Sequence, residues 1–146
     1  KNLMQKCTNI KFDIFGVNNV QPIWADQYFK TISNSKMGLN LSRGNTIKYY
    51  SSDRITQIVG NGLVCLIDEK TQYNNFFDQN EMVFYKNISD LSEKIQKISR
   101  DEKLRKSIAI NGKKKYMKYF NSNKVAQYII DKTLDFKNKE RFLWEK

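Results

Sequence analysis

"SSDRITQIVGNGLVCLID", residues 51–68, holds a complete helix, turn and strand. Ser51 or Ser52 suits a helix N-cap, where a short side-chain oxygen accepts from first-turn amides. Behind it Ile55, Ile58 and Val59 recur at helical spacing, which gives the helix one apolar face. Gly60 and Gly62 close it, because glycine takes the left-handed conformation of a helix stop without a Cβ penalty. "LVCLID" is then apolar without alternation, the profile of a strand covered on both faces in a parallel sheet. A helix feeding such a strand predicts an α/β fold.

The flanking segments extend the pattern. "KMGLNLS" (36–42) reads as a strand with Met37, Leu39 and Leu41 alternating, followed by a loop, "RGNTIKYY". Trp24, Tyr28, Phe29 and Ile32 mark a helix over 24–33, and "IKFDIFG" (10–16) reads as a buried strand turning at Gly16. Downstream, "KTQYNNFF" predicts a short helix and "EMVFY" a strand. Asp90 with Glu93 predicts a capping box for a helix carrying Leu91, Ile95 and Ile98. Two more helices are expected over 101–119 and 122–136, the second with Ala126, Ile129, Ile130, Thr133 and Leu134 on one face. Strands alternating with helices require crossovers, so the expected fold is a Rossmann-like parallel sheet flanked by helices with a helical C-terminus.

At 146 residues the chain has length for one domain with a proper core. The expected domain is 1–136, truncated at its N-terminus, since "KNLMQKCTNI" reads as a helix tail and begins with Lys1. Residues 137–146, "KNKERFLWEK", form a charged tail whose Phe142, Leu143 and Trp144 are expected to dock on something. The formal charge of +11 would suit polyanions, an anionic membrane surface or phosphorylated ligands, although lysine is abundant along most of the chain. The run Lys113, Lys114 and Lys115 reads first as a solvated helix face. Cys65, in "LVCLI", is expected to be buried and reduced. The absence of histidine excludes histidine general-base catalysis, a Ser-His triad and histidine metal ligation within this chain. With no apolar run of membrane-spanning length and no signal-peptide pattern, a cytoplasmic protein is expected.

In open α/β sheets, ligands bind beyond the carboxyl ends of the strands, where helix N-termini also point. That rule brings together Gly16, the loop of Arg43 and Gly44, and the helix start with Ser51, Ser52 and Arg54. Unpaired first-turn amides and the helix dipole favour an anion such as phosphate. Arg43, Lys48 and Arg54 would add charged donors, and Gln57, one turn beyond Arg54, reaches nearly the same face. Each feature also has an ordinary structural reading as a cap, a turn or a surface side chain.

With "SSDRITQIVGNG" between two strands, and the later "NEMVFYKNISDLSEKI" and "RDEKLRKSIAINGKKKY", the chain resembles the C-terminal donor-binding domain of group 1-like GT-B glycosyltransferases. The family segment R-x-x-E-x-x-x-x-G is matched by Arg54, Gln57 and Gly62, except that Gln57 replaces the usual glutamate that accepts from the donor ribose. The resemblance implies a nucleoside-diphosphate sugar as co-substrate, with no other cofactor and no metal. Its diphosphate would lie near Ser51, with Arg43 and Arg54 stabilising the leaving group. Gly16, Gly44, Ser51, Ser52, Arg54 and Gln57 would contact the donor. An N-terminal domain of the parent chain would bind the acceptor, so this chain alone would be inactive, and the pathway would be glycan or cell-surface polysaccharide assembly. Phe142 and Trp144 would pack on that domain, and peripheral contact with an anionic membrane is a further expectation. The rival readings are a basic nucleic-acid-binding module, though no such signature is present, and a non-catalytic interaction domain, which the Gln57 replacement favours.

Overall fold

The computed structural model describes residues 2–41, 45–50, 52–136 and 142–145. Among the described residues three parallel strands form the sheet, in the order β1 (Met37–Asn40), β2 (Val64–Asp68), β3 (Val83–Tyr85). Leu39 lies opposite Leu66, and Leu66 opposite Val83. The helices are α1 (Asn2–Lys6), α2 (Ala25–Asn34), α3 (Asp53–Gly60), α4 (Ile88–Arg100), α5 (Glu102–Tyr119) and α6 (Ser122–Thr133). The fold is therefore a Rossmann-like α/β sheet with a helical C-terminus.

The central strand explains the two layers. Val64 through Ile67 are all buried, and their side chains alternate between two apolar clusters. Cys65 and Ile67 join Ile55, Ile58 and Val59 of α3 with Tyr116 of α5. Val64 and Leu66 join Leu91, Ile95 and Ile98 of α4 on the other face. Each such aliphatic side chain contributes roughly 1.5–3 kcal/mol by leaving water. Helix α5 serves both layers, with Ile108 and Ala109 in the second cluster.

Several expectations are corrected. Residues 10–16 form no strand: Ile10 and Phe12 lean on the second cluster, while Ile14 and Phe15 are 37% and 38% exposed. Among the described residues β1 pairs only with β2, so this segment finds no ladder to satisfy its amides. The helix expected in "KTQYNNFF" is two single 3-10 turns, Glu69–Thr71 and Tyr73–Asn75, broken by Gln72 at φ 56°. The capping box lies three residues earlier than expected. Asn87 Oδ1 accepts from the Asp90 amide at 3.0 Å, and Asp90 Oδ2 accepts from the Lys86 amide at 2.8 Å.

The apolar face expected on α6 is exposed, with Ile129 at 57% and Leu134 at 58%, while Asp131 is the buried residue of that helix. Trp24 and Phe29, at the start and on the body of α2, are also open to solvent. Of the expected tail, residues 142–145 are described, and they pack on this domain. Phe142 is buried and lies 5.1 Å, centroid to centroid, from Tyr128, while Trp144 packs on Phe120 at 5.5 Å. Among the described residues, no helix is long and apolar enough to cross a membrane.

Candidate functional site

Gly38 sets the geometry. A Cβ there would lie 2.5–2.8 Å from three carbons of Ile58, so glycine allows α3 to lie close against β1. This brings the start of α3 beside the carboxyl end of β1. Arg54 Nη1 donates to the Leu41 carbonyl at 2.6 Å. Ser52 stands at the N-cap but does not cap: its hydroxyl donates to Oδ1 of buried Asn40 at 3.2 Å. The Ile55 amide already donates to the Ser52 carbonyl at 3.0 Å, while the amides of Asp53 and Arg54 have no intrahelical carbonyl to meet.

Ser52, Arg54 and Gln57 share one hollow of about 510 Å³. Tyr28, Leu41, Tyr50 and Asp53 complete its walls. Tyr50 is positioned through its neighbour: the Tyr49 amide donates to the Thr71 carbonyl at 2.8 Å, and the Tyr49 hydroxyl accepts from Asn75 Nδ2 at 2.7 Å. These bonds tie the loop before α3 to the crossover between β2 and β3. The hollow thus combines a guanidinium, a carboxylate, an amide, a hydroxyl and two phenol rings.

The other expected site residues fall elsewhere. Arg43, Gly44 and Ser51 lie outside the described residues. Gly16 sits in a turn at φ 75°, its amide donating to the Val20 carbonyl at 3.0 Å, and is not among the residues lining the hollow. Lys48 is also absent from the walls and lies over the Tyr49 ring at 4.8 Å. Tyr28, Tyr50 and Asp53 were not singled out from sequence. Asp53 was legible, since it lies four residues before Gln57 and hence on the same helix face. Tyr28 belongs to a different helix, and only the fold brings it here.

Two groups with shifted proton affinity, Cys65 and Tyr85, lie away from this hollow. Burial pushes the Cys65 thiol up to about 12. Burial also raises Tyr85, helped by the negative charge of Asp68 across the strand pair. Among the described residues no group of three Cys, Asp or Glu is arranged to hold a metal ion.

Fold and hollow define a Rossmann-like α/β domain with a polar recess at the carboxyl edge of its sheet. The model of the glycosyl transferase-like family matches residues 1–131, and the chain belongs to that family as a group 1-like domain. Glycosyl transfer is the general chemistry this membership supports. No curated protein and no solved structure matches the chain.

Proposed function

We propose that this chain is the donor-binding half of a GT-B glycosyltransferase and takes a nucleoside-diphosphate sugar in the hollow before α3. The observation that carries the reading is the meeting of Ser52, Arg54 and Gln57 in one recess at the start of α3, in a chain of the glycosyl transferase-like family. The diphosphate accepts from the amides of the first turn and from the guanidinium N–H groups that Leu41 leaves unused. Positive charge and fixed dipoles there stabilise the departing nucleoside diphosphate as the glycosidic bond breaks.

Hydroxyl recognition is divided in this scheme. Gln57 offers one acceptor oxygen and no charge where related transferases carry glutamate. Asp53, one turn earlier in the same hollow, supplies the missing carboxylate and accepts from donor hydroxyls. Tyr28 and Tyr50 give flat faces for the base. Acceptor binding and any proton transfer belong to an N-terminal domain of the parent chain, so this domain binds donor and transfers nothing. The parent enzyme works on the cytoplasmic side in glycan or cell-surface polysaccharide assembly.

Calorimetric titration with nucleoside diphosphates tests the reading. Arg54→Gln is expected to weaken binding between about tenfold and a hundredfold, since a hydrogen bond to a charged group contributes about 1.5–3 kcal/mol. Arg54→Lys is expected to recover part of the loss. Equal affinity in all three proteins refutes the assignment. If the parent binds no nucleotide and Gln57→Glu gains binding, the domain is a non-catalytic derivative.

A further inference from the structure

Positive charge is not spread evenly along the chain. Residues 103–130 contain eight Lys and Arg and no Asp or Glu, so 28 residues carry eight of the eleven net charges. A uniformly lysine-rich composition would scatter the excess. Most of the block is α5, whose Arg105, Ile108, Ala109, Gly112 and Tyr116 are buried. Its lysines must therefore occupy what remains.

The outer face has an ordered layout. At 100° per residue, Lys103, Ile110, Lys114 and Met117 fall within an arc of about 60°, with Lys106 and Lys113 on one flank and Lys118 on the other. Ile110 is 51% exposed and Met117 45%, so two apolar side chains lie along the midline of a lysine-rich face. Lys103, Lys113, Lys114 and Lys118 pair with no acid among the described residues. Lys106 is partly neutralised by Glu102 at 2.9 Å, and Lys115 turns off the face to Glu81 at 2.7 Å.

We propose that this outer face of α5 docks on an anionic lipid bilayer, with Ile110 and Met117 entering the interface and the flanking lysines meeting lipid headgroups. The chemistry matches a helix lying in the interface plane: apolar midline, cationic borders, and long lysine stems that rest on apolar surface while their ammoniums reach the headgroups. A nucleic-acid partner fits less well. The face presents no arginine, because Arg105 is buried, and the ring of neighbouring Tyr119 is covered by the Lys118 ammonium at 4.9 Å. Arginine forks and open rings are the groups that grip phosphates and stack bases. The proposal is independent of the donor hollow, which involves none of these residues.

Co-sedimentation with phosphatidylcholine vesicles, with and without about 30% phosphatidylserine, is the test. Binding is expected only to the anionic vesicles and is expected to fall with salt. Lys113→Gln, Lys114→Gln and Lys118→Gln together should lower the partition coefficient roughly a hundredfold, at about fivefold per lysine. A control with Lys30, Lys70 and Lys86 changed to Gln removes equal charge from exposed positions elsewhere and should stay near the parent value. Ile110→Ser with Met117→Ser should weaken binding at constant charge, with circular dichroism checking that each variant folds. Equal losses in the two triple variants, or no binding to anionic vesicles, overturns the proposal. So does tighter binding to a DNA duplex that the same three α5 lysines support.

Discussion

Two glycine-to-alanine changes should act in opposite directions. Gly112 is buried in α5, and a Cβ there would collide with the backbone carbonyl oxygen of Glu81, with the carbonyl carbon at 3.3 Å. The obstacle cannot rotate away. Its turn is held by the Met82 amide on the Asp78 carbonyl at 3.0 Å, the Asp78 amide on Glu81 Oε2 at 2.9 Å, and Lys115 on that oxygen at 2.7 Å. Either α5 or the turn must move, which costs about 1–3 kcal/mol as overpacking, offset by up to about 1 kcal/mol of helix propensity. Gly112→Ala should therefore destabilise by about 1–2 kcal/mol. At Gly60, the last residue of α3, a Cβ meets only the mobile end of Met117 at 3.6 Å, so Gly60→Ala should stabilise by about 0.5–1 kcal/mol. Urea unfolding followed by circular dichroism reads both against the parent. A Gly112→Ala protein as stable as the parent would refute the close packing of α5 on the turn before β3.

Other measurements probe separate parts of the structure. Burial of the Cys65 thiol, with its proton affinity raised to about 12, should make its labelling by a thiol reagent at mildly alkaline pH follow the unfolding rate; labelling at the rate of a free thiol contradicts this. Hydrogen bonds from Lys94 and from the Lys86 amide hold the Asp90 carboxyl below its ordinary 3.8. Its stabilisation is complete above that ordinary value and disappears as pH falls through the lower folded value, so Asp90→Asn should flatten the acid limb of the urea midpoint against pH. Identical acid limbs would remove this role. Phe142→Ala should cost about 3 kcal/mol if the tail is an integral part of this domain, and a change within about 0.5 kcal/mol would show that it is not.

The central helix–strand unit was legible because its signals agree: apolar spacing in α3, glycines after it, and a β2 covered on both faces. Local signals failed where a partner was needed. "IKFDIFG" has strand chemistry but no neighbouring ladder, and the Phe-rich crossover after β2 is too short and too kinked at Gln72 for a helix. Periodicity identified the apolar stripe of α6 yet could not say whether anything in this domain covers it. In the hollow, Ser52 follows from its place at the helix start and Gln57 from its spacing after Arg54, whereas Tyr28 and Tyr50 arrive through the packing of α2 and the pinning of Tyr49. The asymmetry of charge in residues 103–130 was visible in the sequence, but its division into an apolar midline with lysine borders required knowing which face of α5 is buried.

Residue-resolved NMR titration with a nucleoside diphosphate addresses the donor hollow most directly. The account predicts saturable amide shifts at residues 52–57 and Tyr50, displaced by inorganic pyrophosphate. Saturable binding that leaves those amides unmoved, or no binding at millimolar nucleotide, would contradict it.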